Sequence, residues 1–396
     1  MKPWPSQEEF ARQGLALVLA HHIVYLAAEE RTGKTLAAIL IGEQHPAKEV
    51  LVVTKKKALE GWVDTLSKYK TNKPFRLTTY TQIDKEPVKQ NQLVILDEAH
   101  NYISGAPKPS QTWSEVKQRC RQADIIYISA TPYAQGVYLL YHQFAVSSFS
   151  PWARFTDYYK WHKVYGLEAH IFVKGMKVPV FTKADKELAL ADVEHLFITK
   201  TRAELGFEHE PEDVLHYIEL DPITREVYNT LVKKKVVQLK AGTLACENVS
   251  KLRAALHMLE GGVAKIKDKY IVLANDEKIR HILANWGDKP NVAIMYYYIA
   301  EGTKLRQVFK HASILQADTH AEGVDLSMFE HLVIYSQNPS TAKHTQRRAR
   351  QANKQRKTEI KVHFLLVKKA VSSQVYKAVA VNKRNYIDSL FEDNTV

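Results

Sequence analysis

Cysteine is nearly absent from this chain: Cys120 and Cys246 are the two among 396 residues. That excludes a disulfide framework and a cysteine-rich zinc site, and it fits a reducing compartment. Long apolar runs are missing as well. The longest, GLALVLAHHIVYLAA, is short for a bilayer span and carries His21-His22 in its middle. The opening MKPWPSQEEFAR sets Glu8 and Glu9 where a secretory signal would begin its apolar region, so no leader is expected. No polar low-complexity tract argues for disorder, and an apolar fraction of 45% supports packed cores. The histidines show no ligand spacing, so no structural metal is expected. A cytoplasmic protein with room for two ordinary domains is the reading these absences leave.

Charge is present in excess. The formal net charge is +13, and residues 343–369 hold ten Lys or Arg against one Glu. Such a cluster is the electrostatic footprint of a polyanion, nucleic acid above all. A solvated helix face would look the same in charge alone.

The first 140 residues alternate short apolar runs, IVYLAA, VLVVT, FRLTTY, QLVILD and DIIYIS, with helical patterns such as KTLAAILIGEQ. Near-continuous apolar strands between helices predict a parallel sheet covered on both faces, with ligands at the carboxyl ends of its strands. GKT, TKKK, TTYT, DEAH and SATP each follow one of those runs directly. Residues 141–215 break the rhythm and read as a linker with a mostly helical insertion, including a small hairpin at VKGMKVPVF. A second α/β unit is expected over 216–396, opening with a helix ITREVYNTLVKKKVVQLK and continuing through NVAIMYY, ASILQAD, HLVIYSQ and IKVHFLLV.

A phosphate cradle needs inward-facing N–H groups above a helix N-terminus, a lysine for the β/γ-phosphates and a hydroxyl for Mg²⁺. Gly33, Lys34 and Thr35 supply the end of such a loop, although Ala28 stands where its first glycine usually is. About sixty residues on, Asp97 at the tip of a buried strand suits Mg²⁺, and Glu98 suits polarising the attacking water. Lys55, Lys56 and Lys57 after VLVVT suit sequence-independent contact to a nucleic-acid backbone.

These motifs, in this order, resemble the ATPase core of a superfamily two helicase of the Swi/Snf-like translocase branch, over about residues 10–367. FARQ is similar to the adenine-reading motif, with Gln13 as reader, and Thr32 joins Gly33, Lys34 and Thr35 in the nucleotide loop. VLVVTKKKALEGW and LTTYTQI resemble DNA-side motifs, which implies Lys55, Lys56, Lys57, Thr79 and Tyr80 as contacts. ISATP resembles the motif that couples ATP to DNA, carried by Ser129 and Thr131 together with His100 of DEAH. DTHAEGVDLS resembles the Gly-x-Asp-Leu motif, implying Gly323 and Asp325 at the nucleotide and Thr319 at nucleic acid. QRRARQANKQR resembles the arginine-finger helix. Counting from Gln346 gives Arg350 but then Asn353, whereas a shifted register pairs Arg347 with Arg350. Arg31-Thr32 also stands where the branch often has a glycine, a departure that compact phage-type members tolerate.

The resemblance implies two RecA-like domains, ATP and Mg²⁺ as cofactors, and an ATPase expected to act as a monomer, moving along duplex or branched DNA without sequence preference. A compact phage or bacterial member working with replication, recombination or repair proteins is the implied setting. An unwinding helicase on forked DNA or RNA is the alternative. A non-catalytic nucleic-acid-binding protein on a decayed motor is the third.

Overall fold

Strands that are apolar on both faces need helices on both sides. The computed structural model describes residues 2–87, 89, 91–133, 135–173, 176–317, 326, 328–341, 344, 359–382 and 386. It divides into two units, Met1–Gly206 and Phe207–Val396. Among the described residues, the first unit contains β1 (Ile23–Ala28), β2 (Val50–Thr54), β3 (Phe75–Thr79), β4 (Leu93–Asp97), β5 (Asp124–Ile128), β6 (His170–Val173), β7 (Met176–Pro179) and β8 (Phe197–Lys200). Six of them form one parallel sheet in the order β3-β2-β4-β5-β1-β8.

The two faces of this sheet separate by residue parity. Val24, Leu26, Val52, Ile95 and Ile126 pack with Phe10, Val18, Ile39 and Trp62 from the helices Pro5–His21, Lys34–Gln44 and Leu59–Tyr69. Tyr25, Val53, Val94 and Tyr127 point the other way, into Val116, Phe144, Trp152 and Trp161. Residues 141–206 therefore pack with the first unit. They supply the helices Tyr158–Tyr165 and Lys186–Ala191, the antiparallel hairpin β6–β7, and β8, which pairs in parallel with β1.

The second unit contains β9 (Pro211–Ile218), β10 (Val236–Leu239), β11 (Gly242–Ala245), β12 (Val263–Ile266), β13 (Lys269–Val272), β14 (Val292–Tyr296), β15 (Ser313–Gln316), β16 (His331–Ile334) and β17 (Ile360–Val367). Its parallel sheet runs β15-β14-β16-β17-β9, again with an apolar layer on each face. Two α/β units, each built on a parallel sheet, are thus what the alternating pattern predicts and what forms. One expectation is corrected: ITREVYNTLVKKKVVQLK is not a single helix. The helix stops at Lys234, Lys235 turns left-handed at φ 57, and the β-branched pair Val236-Val237 begins β10. No helix among the described residues is long and apolar enough to cross a membrane.

A chain of histidines lies in the second unit. His281 Nε2 is 3.1 Å from His216 Nδ1, and His216 Nε2 is 3.1 Å from His363 Nδ1. Trp286 packs against His216, His281, His331 and His363. Burial, then His216, His331 and Lys361, push His363 down to about 4, and burial lowers His216 and His281 too. A histidine held neutral in the fold binds protons more readily once the chain unfolds. Its contribution is therefore complete above its ordinary value of 6.5 and is lost as pH falls towards 4. Denaturant titrations should show the second unit losing stability as pH falls from 7 towards 4. His363→Phe should flatten that dependence, and an unchanged slope would refute the assignment.

Candidate nucleotide site

β1 ends at Ala28, and the loop 29–33 leads into the helix Lys34–Gln44. Ala28 pairs with Lys200 of β8, so it is extended strand, and glycine's freedom is not needed there. The left-handed positions fall later, at Arg31 (φ 68) and Gly33 (φ 82). Gly33 is required for a second reason: a Cβ there would lie 2.0 Å from Gln7 Nε2. Thr32 is buried, and its hydroxyl donates to Glu29 O at 2.7 Å. Lys34 Nζ donates to the carbonyls of Ala28 and Glu29, both at 2.6 Å, which aims its ammonium into the loop. Burial lowers the pKa of that ammonium, while Glu30, Glu98 and Asp97 act in the opposite sense. Thr35 is the second residue of the helix.

Asp97 ends β4, next to β5 and one strand from β1. Its Oδ2 accepts from Thr54 Oγ1 at 2.7 Å and from Trp62 Nε1 at 3.0 Å. Tyr80 donates its hydroxyl to Asp97 O at 3.0 Å and stacks on Tyr102 with centroids 4.3 Å apart. Thr54 and Trp62 thereby fix the carboxylate, and Tyr80 fixes the main chain of the same residue. Glu98 follows in a left-handed conformation (φ 51), with its N–H on Ile128 O. Burial foremost, then the Asp97 carboxylate, raises Glu98 to about 7.

Ser129 joins these groups. Its Oγ donates to Glu98 Oε2 at 3.2 Å, lies 3.0 Å from His100 Nδ1, and accepts from Thr131 N at 3.0 Å. His100 Nδ1 is 3.4 Å from Glu98 Oε2. Lys34, Asp97, Glu98, His100, Ser129 and Thr131 are therefore gathered at the carboxyl ends of β1, β4 and β5. Lys55 is partly buried and its charge reaches Glu98, whereas Lys56 and Lys57 are exposed. Thr79 and Tyr80 are both buried, Thr79 within 3.0 Å of Thr81 Oγ1. Gln13 donates to Glu9 at 2.8 Å. Thr319, Gly323, Asp325, Gln346, Arg347 and Arg350 lie outside the described residues, as does most of the basic segment.

Two residues that sequence reasoning missed stand at the loop. Gln7 is buried, accepts from Trp4 N at 3.0 Å, and lies against Gly33. Its signal was its place in the first turn of the opening helix, after Trp4-Pro5. Arg202 follows β8 and is buried beside the loop. Its N–H donates to Glu29 Oε2 at 2.7 Å, and its guanidinium lies 3.8 Å from the Glu29 and Glu30 carboxylates. Only the pairing of β8 with β1 brings it there.

The donor set suits a nucleoside triphosphate with Mg²⁺: a buried ammonium in a strand-to-helix loop, and an aspartate held rigid beside a raised glutamate. Among the described residues, no group of three His, Cys, Asp or Glu could hold a metal unaided.

No family model matches the chain, and no curated protein matches it. Among solved structures it is similar to the Sulfolobus solfataricus SWI2/SNF2 ATPase core domain, at 15% identity and a TM-score of 0.43, over 100% of this chain and 92% of that one. It is also similar to the Pyrococcus furiosus Hef helicase domain, at 12% identity and a TM-score of 0.49, over 94% and 97% respectively.

Proposed function

We propose that the chain is a nucleic-acid-dependent ATPase that turns ATP hydrolysis into movement along DNA, in the manner of a Swi/Snf-like translocase. The observation that carries this reading is the meeting of the Lys34 loop with Asp97 and Glu98 at one sheet edge, tied through Ser129 to His100 and Thr131. When bound, ATP·Mg²⁺ supplies the phosphoanhydride whose cleavage drives the motor. Lys34 and the loop N–H groups would hold phosphate oxygens, and Thr35 and Asp97 would hold the metal. Glu98 takes the proton of the attacking water. Gln7, against Gly33, is better placed than Gln13 to bear on the nucleotide loop. By the resemblance alone, Arg350, together with Arg347 or Gln346, is assigned the cation for the transferring phosphoryl group, and Gly323 and Asp325 are assigned nucleotide contacts. Lys55, Lys56, Lys57 and Thr319 contact the nucleic-acid backbone.

Ser129 is the mechanical link in this reading. It touches the base, Glu98, and opens the segment whose Thr131 N–H it holds, so movement at either end is felt at the other. The test is steady-state ATP hydrolysis with no nucleic acid, single strands, duplex, forked duplex and RNA. Strong stimulation by duplex DNA, abolished by Lys34→Ala, is expected. Stimulation by forks or single strands alone would favour an unwinding helicase, and tight binding without hydrolysis would leave a decayed motor.

A further inference from the structure

Two hairpins stand beside the sheet of the second unit, β10–β11 and β12–β13. They abut at their tips: a Cβ on Gly242, just after the first turn, would lie 3.4 Å from Ile266 Cγ2, just before the second. Their inner residues, Val237, Leu239, Leu244, Ile266 and Ile271, pack into the core of the unit. What faces outward is basic. Residues 233–272 contain eight Lys and one Arg against Glu247, Glu260 and Asp268, and Glu260 is buried. All eight lysines are exposed.

The backbone makes this more than a solvated face. Lys267 begins the two-residue turn between the paired Ile266 and Lys269 and has φ 52, and Lys235, which precedes β10, has φ 57. Both are conformations in which glycine or asparagine would rest more easily. Both side chains stand in solvent there. Tyr270 is 48% exposed, directly opposite Lys265, whose ammonium is 5.7 Å from its ring centre. An exposed aromatic among lysines is the composition of a nucleic-acid surface.

We propose that the two hairpins form an accessory nucleic-acid-binding surface, on which Lys240, Lys265, Lys267 and Lys269 contact backbone phosphates. The class of partner rests on the motor reading above; the surface itself does not. It is separate from every motif that the motor reading uses.

The test compares the full chain with a K240Q/K265Q/K267N/K269Q variant, by fluorescence anisotropy on duplex DNA and duplex RNA over a salt series. Affinity for duplex DNA should fall roughly ten- to a hundredfold, and the salt slope should shrink by about 3–4, near 0.9 for each phosphate no longer neutralised. Hydrolysis of ATP without nucleic acid and the thermal midpoint should stay as they are. Unchanged affinity and slope would overturn the proposal. So would a loss of binding to poly-glutamate with none to nucleic acid, which would indicate an acidic protein partner. Duplex binding that falls in the variant of a chain with no ATPase would uphold this surface and end the motor reading. Duplex-stimulated hydrolysis with an unaltered salt slope would do the reverse.

Discussion

Replacing Glu98 by glutamine should, in the motor reading, leave ATP binding close to that of the native chain and cut turnover by about 10²- to 10⁴-fold, the usual worth of a positioned general base. Glutamine keeps the shape and an oxygen to accept from Ser129 Oγ, so the link at 3.2 Å survives while the proton acceptor is removed. The carboxyl sits where burial and Asp97 raise it to about 7, close to the pH at which a base works best. The same environment gives a second, independent readout. A carboxyl whose folded pKa lies above its ordinary 4.5 costs stability increasingly as pH rises from that value to about 7. The thermal midpoint of Glu98→Gln should therefore exceed that of the native chain at pH 8, with the gap narrowing towards pH 5. Fluorescent-nucleotide binding, single-turnover hydrolysis and unfolding at the two pH values would decide it. A variant keeping a tenth or more of native turnover would remove Glu98 from the mechanism, even with the stability shift as expected.

The parallel sheets were legible because their strands are apolar on both faces, a pattern that solvent-facing strands do not share. The gathering of Lys34, Asp97, Glu98 and Ser129 was legible because each lies at or just beyond the end of such a strand, where ligands gather in open α/β sheets. What escaped depends on contacts distant in sequence. Arg202 is 172 residues from Glu30 and reaches it only through strand pairing. The roles of Thr54 and Trp62 appear only once Asp97 lies between them. That Gln7 lies against Gly33 follows from the phase of the opening helix, which motif spacing does not give. The hairpins β10–β13 were hidden for another reason. They are short, half-buried and rich in lysine, a good helix former, so the helical pattern runs on past Lys234 where the chain in fact turns.

Arg202 carries the other large expected effect. The nucleotide loop places two acidic side chains, Glu29 and Glu30, beside the ground where a polyphosphate would lie, and Arg202 is the buried cation between them. Its guanidinium side chain is 7% exposed, against 41% for Glu29 and 15% for Glu30. Removing it strands Glu30 more than Glu29, which can turn to water. The cost of Arg202→Ala should thus fall below the 3–5 kcal/mol of a fully buried pair, at about 2 kcal/mol, or about 4–8 °C in thermal midpoint for a unit of this size. In the motor reading the functional loss should appear chiefly in nucleotide affinity, since two uncompensated carboxylates repel phosphate before any chemistry begins. Arg202→Lys restores the charge without the planar fork and should recover most of the affinity but less of the stability. Arg202→Ala combined with Glu30→Gln separates the two causes. If electrostatic compensation is the role, the double variant regains nucleotide affinity. If Arg202 merely braces the end of β8, the double variant stays as weak as the single one, and the compensation account fails.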